Sequence, residues 1–296
     1  MLMNWQAISD QIRLKTGRDF HFAAAQPLGG GDINSAYHLQ GRDRSYFVKL
    51  NRRELADMFA AEFAGLREIA AVGAIRAPAP VIHGEAGTQA YLVLEYLEFG
   101  ASTRQSQRLL GQQLADLHRP RQAYFGWHRD NTIGSTPQVN TRSVDWVAFW
   151  RDLRLGYQLR LAARNGYAGR LQTQGERLCS ALAGLFDGYQ PQPSLLHGDL
   201  WAGNSATDRQ GRPVIFDPAC YYGDREADIA MTELFGGYGK DFYQAYNESW
   251  PLDAGYPVRK TLYNLYHVLN HLNLFGGGYQ RQAENMTMQL LSELSA

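Results

Sequence analysis

The chain has 296 residues, 45% of them hydrophobic, and its 29 basic side chains are matched by 29 acidic ones, for a formal net charge of +0. That length is ample for a substantial core in one large domain or two lobes, and the neutral balance argues against a nucleic-acid partner or an anionic membrane surface, both of which call for a basic excess. Cys179 and Cys220 are the only cysteines, which excludes a disulfide framework and fits a reducing, cytoplasmic setting. No apolar run approaches the ~18–20 residues of a membrane span, and the amphipathic stretch Met1 to Leu14, broken by Asp10 and Arg13, does not read as a signal peptide.

Residues 1–16 predict a short helix with Trp5, Ile8, Ile12 and Leu14 on one side. From Phe20 to Leu50 the apolar residues alternate around the glycine cluster Gly29–Gly31, predicting strand, glycine loop, strand, turn, strand. The period returns to helical over 54–72, with Leu55, Met58, Phe59, Phe63, Leu66 and Ile69 as the stripe, and Pro78 and Pro80 end it. Strands follow near 81–83 and 90–94, then a linker over 95–100. Beyond it the sequence predicts helices over roughly 104–118, 142–164, 168–187, 225–235, 239–249, 258–275 and 279–294. Between them lie an irregular segment, 119–141, and one β-rich island, 194–217. A β-rich front with one helix, a connector and a helical back predict an α+β chain of two lobes, residues 1–97 and 98–296.

The island carries the chemistry. An apolar strand delivers His197, Gly198 and Asp199 into a loop, Asn204 follows five residues later, and a second apolar strand ends at Asp217, thirteen residues on. Phosphoryl transfer needs such a set: one carboxylate to orient the nucleophile's proton, and a carboxylate with an amide to hold Mg²⁺ against nucleotide phosphates. His-x-Asp-x-x-x-x-Asn before a strand-borne Asp is the spacing of a kinase catalytic loop. Each residue alone would pass for a turn or strand-end residue; together, at this spacing, they do not.

The front lobe supplies counterparts. Gly29, Gly30 and Gly31, with Asp32, Ile33 and Asn34, form a loop whose backbone N–H groups could cradle phosphates, although a plain hairpin turn explains the glycines equally well. Lys49 closes the strand Tyr46-Phe47-Val48, and Glu62 lies thirteen residues on, on the apolar side of its helix. A charge there is costly unless paired, and Lys49 is the obvious partner. The strand Leu92-Val93-Leu94 runs into Glu95, Tyr96 and Leu97, whose backbone would meet an adenine edge.

At this point the sequence resembles the fructosamine kinase (ketosamine-3-kinase) family, a branch of the protein-kinase-like fold related to aminoglycoside phosphotransferases and choline kinases. His197-Gly198-Asp199 with Asn204 and Asp217 carries the broad likeness. More specific are the continuation into Leu200-Trp201, the run Asn131-Thr132-Ile133-Gly134-Ser135-Thr136-Pro137-Gln138, and Phe216-Asp217-Pro218-Ala219. Gly223-Asp224-Arg225-Glu226-Ala227-Asp228 and Asn270-His271-Leu272-Asn273 with Phe275-Gly276 belong to the same set. The resemblance implies ATP- and Mg²⁺-dependent phosphorylation of the 3-hydroxyl of ketosamines, preferentially ribulosamines and erythrulosamines and also fructosamines, on amines or glycated proteins. The 3-phosphate is unstable and the amine is regenerated, which is deglycation. Asp199 is then the catalytic base, Asn204 and Asp217 the metal ligands, and the 29–34 loop, Lys49, Glu62 and 95–97 the ATP site.

Asp217-Pro218-Ala219 replaces the Asp-Phe-Gly of protein kinases, so a flip of that motif is not expected. Asp32 stands where some family members carry a loop cysteine that links dimers, so redox control through it should be missing; a monomer is expected. Trp201 suits a sugar face or a core anchor, and Asp228 resembles the aspartate that braces the catalytic loop. His197 belongs to that loop. His267 and His271, four apart on one helix, lack the glutamate of a metalloprotease helix and read as a cleft wall with Asn270 and Asn273. Two rivals remain: a related kinase of choline or an aminoglycoside, the latter requiring an acidic cleft, and a nucleotide-binding module without turnover, which the intact Asp199, Asn204, Asp217 and Lys49 oppose.

Overall fold

The computed structural model describes residues 4–29 and 33–295, so Gly30, Gly31 and Asp32 of the expected phosphate loop lie outside the described residues. The first helix, α1 (Trp5–Thr16), is opened by the Asn4 side chain accepting from the N–H of Ala7 and closed by Gly17, whose N–H donates to Arg13 O. Three strands come next, β1 (Phe22–Leu28), β2 (Ser35–Gly41) and β3 (Ser45–Arg52), then the helix α2 (Ala56–Val72), then β4 (Pro80–Ala86) and β5 (Gln89–Glu95). These strands form one sheet, antiparallel throughout, in the order β1-β2-β3-β5-β4.

The period of two decides what each face of this sheet touches. Val48, Leu50, Leu39 and Val93 point to α1, where Ile8 and Ile12 meet them. The alternate set, Phe47 and Lys49 on β3 with Leu92 and Leu94 opposite on β5, faces α2, whose Phe59 and Leu66 pack against those leucines. Lys49 is therefore buried on the same face as those leucines, where its ammonium reaches Glu62 of α2.

The connector is not bare. It contains a two-residue strand, β6 (Phe99–Gly100), whose Gly100 pairs with Thr207 in the helical region. After α3 (Arg104–His118) the segment expected to be irregular holds a hairpin, β7 (Asn131–Ile133) and β8 (Thr136–Gln138). The single helix expected over 142–164 starts at Asp145, whose side chain caps Ala148 N–H at 3.1 Å. It runs as α4 (Trp146–Trp150), a π-helical turn over Arg151–Leu155, and α5 (Gly156–Arg164). Then come α6 (Arg170–Ala181), β9 (Ser194–Leu196), β10 (Ser205–Asp208), β11 (Pro213–Ile215) and β12 (Tyr221–Gly223). The chain ends with α7 (Glu226–Leu234), α8 (Lys240–Ser249), α9 (Tyr256–Phe275) and α10 (Gln280–Glu293).

The main core gathers Leu110 and Leu114 of α3, Trp146, Phe149 and Trp150 of α4, and α9, which is buried from Leu262 to Asn270. Two small antiparallel units, β12 with β9 and β11-β10-β6, sit beside that core. They bring residues 197–204 and 216–220 together at the junction with the front sheet. No helix among the described residues is long and apolar enough to cross a membrane.

Candidate active site

Residues 197–204 link β9 to β10, and Asp217 follows β11. Two backbone bonds lock these segments together: Ala219 N–H donates to His197 O at 2.8 Å, and Phe216 N–H to Asn204 O at 3.0 Å. The approach is so close at Gly198 (φ 82°) that a Cβ there would sit 2.1 Å from Ala219 O, which leaves no alternative to glycine. Asp217 itself holds φ 59°, a left-handed conformation a non-glycine residue rarely adopts, and it turns the carboxylate back toward the loop.

Around this turn the expected residues converge. Lys49 Nζ donates to Glu62 Oε1 at 2.7 Å and to Asp217 Oδ1 at 2.6 Å, with Lys49 and Glu62 both buried. Burial opposes a charge on Lys49, but Asp217 and then Glu62 outweigh it and hold the ammonium above its ordinary range. Asn204 Nδ2 donates to Asp199 O at 2.8 Å and to Asp199 Oδ2 at 3.2 Å. Burial, then the repulsion of Asp217, push the Asp199 carboxyl up to about 7.

The loop is braced from behind. Asp228, on the first turns of α7, accepts from the N–H of His197 at 2.7 Å and of Gly198 at 2.8 Å, and from His118 Nε2 at 3.1 Å. Burial alone would raise this carboxyl, but His118 and the two N–H groups hold it low. His118, at the end of α3, reaches the Tyr246 hydroxyl through its other nitrogen at 2.9 Å. His197 is neutral for lack of solvent, since burial lowers its pKa, and its bonds fix the tautomer. Nδ1 accepts from Asp199 N–H at 3.3 Å, so the proton sits on Nε2 and goes to Phe216 O at 2.9 Å.

Sequence reasoning left the run 131–138 without a role, and the structure supplies one. Asn131 Nδ2 donates to Cys220 O at 2.8 Å and Gln138 Nε2 to Ala219 O at 3.2 Å, so the β7–β8 hairpin holds the two carbonyls just past Asp217–Pro218. Asn140 bonds Asn131, and the fully buried Arg154 of the π turn donates to Asn140 Oδ1 at 2.6 Å. The Arg154 guanidinium lies over the Phe149 and Tyr221 rings at 4.6 and 4.2 Å. Asn51 was equally invisible: from the end of β3 its Nδ2 bonds Ile33 O at 2.9 Å and Asn34 Oδ1 at 2.7 Å, fastening the return of the 29–34 loop. The partners in these hydrogen bonds lie from 9 to 89 positions apart.

At the connector, the Glu95 side chain is taken by Arg76 at 2.9 Å and by Ala79 N–H at 3.2 Å, and its own N–H by Ala79 O. Tyr96 stacks on His38 of β2, ring centroids 3.7 Å apart and 9° from parallel. Among the described residues no acceptor takes the N–H of Tyr96 or that of Leu97. Trp201 folds over Gly203 and is 38% exposed, which excludes the core-anchor alternative. Asn270 and Asn273 are spent on tying α9 to Ile133 O and to Gln158. His267 remains on the same helix with no hydrogen-bond partner among the described residues although only 5% exposed, and burial lowers its pKa to about 3. His271 stacks on Phe235 at 4.6 Å, farther along the wall. At the far end of that wall Leu274, Gly134 of the hairpin turn and Ile33 come together: a Cβ on Gly134 would meet Leu274 at 3.0 Å and Ile33 at 3.3 Å.

A buried lysine bridging two carboxylates, beside a braced catalytic loop and between a sheet and a helical body, defines a phosphotransferase of the kinase-like fold. A thermostable aminoglycoside phosphotransferase solved with AMP-PNP and hygromycin B has that fold, superposing with a TM-score of 0.65 over 98% of each chain at 17% identity. The chain belongs to the fructosamine kinase family, whose profile matches residues 4–293. A "Probable ketoamine kinase" of Synechocystis is 49% identical over 97% of both chains. The chloroplastic protein-ribulosamine 3-kinase of Arabidopsis thaliana is 44% identical over 97% of this chain and 89% of its own. The crystal structure of a candidate fructosamine-3-kinase from Haemophilus somnus superposes with a TM-score of 0.89 over 98% of each chain at 29% identity. The protein is accordingly a kinase of the ketoamine-phosphorylating class.

Proposed function

We propose that the protein transfers the γ-phosphoryl group of Mg·ATP to the 3-hydroxyl of ketosamines, ribulosamines and erythrulosamines before fructosamines, on free amines or glycated proteins, so that the amine is recovered. The observation that carries the reading is Lys49 held between Glu62 and Asp217 at 2.7 and 2.6 Å, beside the loop in which Asn204 donates to Asp199. Phosphoryl transfer asks the protein for position and charge rather than covalent chemistry.

Asp199 takes the acceptor hydroxyl's proton. Lys49, kept charged by its two partners, meets the nucleotide phosphates under the 29–34 loop, and the connector 95–97 receives the base. The donor set fits a magnesium ion: the Asp217 carboxylate is 44% exposed, and Asn204, its Nδ2 engaged by Asp199, keeps Oδ1 for a cation. Two oxygens with the rest from phosphates and water are how Mg²⁺ is usually held. When bound, the ion would neutralise the phosphate charge. On the acceptor side, the exposed Trp201 ring offers a sugar face, and His267, neutral and unpartnered, offers a hydrogen bond to a hydroxyl. Enolisation between C1 and C2 lets phosphate leave from C3, and water then hydrolyses the imine left at C1, which frees the amine and a 3-deoxy dicarbonyl.

The test is a substrate panel under Mg·ATP, scoring phosphorylated product with ribulose-lysine, erythrulose-lysine, fructose-lysine, choline and kanamycin. Turnover should rank ribulose-lysine and erythrulose-lysine above fructose-lysine, with choline and kanamycin inert. Turnover of choline or kanamycin with none of the three ketosamines would refute the assignment, as would nucleotide binding without turnover of any.

A further inference from the structure

Helix α2 and the chain that carries Asp217 touch at three successive points. Glu62 reaches Asp217 through Lys49. One turn on, a Cβ at Gly65 would lie 3.1 Å from Cys220 Sγ and 3.4 Å from Pro218 Cγ, so helix and chain already meet there with no side chain between them. Another turn on, the Glu68 carboxylate accepts from the Tyr222 hydroxyl at 2.6 Å on Oε1 and from the Trp127 indole N–H at 2.7 Å on Oε2. Contacts in the order 62, 65, 68 against 217, 220, 222 are those of a helix laid lengthwise along an extended segment.

The two donors are themselves fixed. Trp127 and Tyr222 are 2% and 7% exposed, and the backbones of Gly126 and Tyr222 exchange two hydrogen bonds of 2.8 Å, so both rings spring from one rigid pair. Burial, then the Glu68 carboxylate, keep the Tyr222 phenol protonated and donating. Glu68 is only partly buried, and water could have satisfied it; instead both oxygens are committed to a different part of the chain. His128 adds a weaker contact at 3.9 Å.

Glu68 touches neither Lys49 nor any atom expected to react. We infer that it is a positioning residue: by fastening the second half of α2 to the Trp127–Tyr222 pair, it holds Glu62 where Lys49 can bridge to Asp217, and the nucleotide site stands assembled before nucleotide arrives. The inference rests on the reading that Lys49 and Asp217 receive Mg·ATP. Its consequence is thermodynamic. A ligand whose competent state is only a fraction of the population binds more weakly by that fraction, so loosening α2 weakens nucleotide binding without altering any group that touches the nucleotide.

The experiment titrates wild type, Glu68→Ala, Glu68→Gln and Tyr222→Phe with Mg·AMP-PNP by calorimetry, and follows thermal unfolding and hydrogen exchange over residues 56–72 in parallel. Two hydrogen bonds to a charged group are lost in Glu68→Ala, and its Kd should rise about tenfold. Tyr222→Phe, losing one, should show about a threefold rise. Glu68→Gln should fall between them, because its carbonyl still accepts from Tyr222 while its amide faces the Trp127 N–H. Exchange in α2 should quicken in the same order. With a ketosamine as acceptor, kcat should fall while the acceptor's KM holds. A merely structural role predicts a lower Tm with the Kd of the folded protein at the wild-type value, and that result for Glu68→Ala overturns the inference. If Glu68→Ala does not fold, wild-type Kd and wild-type α2 exchange in Tyr222→Phe overturn it equally. Wild-type protein that fails to bind Mg·AMP-PNP overturns the reading of the site and the inference with it.

Discussion

At Asp199 two effects act in the same direction. Burial disfavours the charged carboxylate, and the negative charge of Asp217 repels it, so the group holds its proton more tightly than a surface aspartate does. A carboxylate poised in that way accepts a hydroxyl proton more readily than one near 4. Replacing Asp199 by Asn keeps an oxygen and an amide in place but removes the base. Turnover should fall about 10²–10⁴-fold, while Mg·AMP-PNP affinity stays level or tightens, because a negative charge facing the phosphates is gone. Steady-state rates beside calorimetric binding measure both halves; wild-type turnover in Asp199→Asn would remove the role assigned to it. Residues of this kind were legible because their chemistry is written at short range. Asp199 and Asn204 share one loop, and Lys49 and Glu62 are separated by a strand end and one helix. Glu68, Asn51 and His118 were not legible, because each is an ordinary polar residue whose partner lies 17 to 154 positions away.

At the scale of elements, α7 does to the catalytic loop what the β7–β8 hairpin does to the chain after Asp217. Both satisfy backbone groups that no regular ladder reaches: Asp228 takes two N–H groups, and Asn131 and Gln138 donate to two carbonyls. An orphaned buried N–H is expensive. Asp228→Ala should therefore cost about 3–5 kcal/mol of stability, seen as a lower urea midpoint at unchanged slope. Asp228→Asn, able to accept one N–H but not both with the His118 contact, should lose less. A loss under about 1 kcal/mol in Asp228→Ala would mean the loop has another support. The main helices and the strands of the front sheet followed from periodicity, while β6, β12 and the hairpin in 119–141 did not, because two- and three-residue strands are too short to show a period. The break in the 142–164 helix escaped for another reason. Gly156 N–H reaches back five residues to Arg151 O, and the wider turn lets Arg154 point inward, where a hydrophobic stripe would have no arginine.

At the scale of the whole molecule the two-lobed plan was visible as a change of period near residue 100, but the ties between the parts were not. Arg76 bridges Glu95 and Asp208 at 2.9 and 2.8 Å, its carbonyl accepts from Ile215 N–H, and Arg129 meets Asp57 at 2.5 Å. The helical part also encloses histidines, among them His267, 5% exposed. Burial, then His271 on the same helix, disfavour its charged form; Asp228 on α7 pulls the other way, and Arg154 on the π turn adds the smallest push. Its pKa in the folded chain is about 3, against 6.5 for an unrestrained imidazole. Below 6.5 the unfolded chain takes up a proton that the folded chain refuses. Stability from this group is therefore complete above pH 6.5 and drains away as pH falls toward 3, at about 1.4 kcal/mol per pH unit. His197 and His271 are shifted in the same direction and add to the wild-type slope, so the difference between wild type and His267→Gln isolates one proton. Urea unfolding at intervals from pH 6 to pH 4 should give His267→Gln a stability-versus-pH slope shallower by that amount, whatever packing cost glutamine adds uniformly. Parallel lines for the two proteins would mean that His267 titrates in the folded chain as it does in water, and that the wall of α9 is wet.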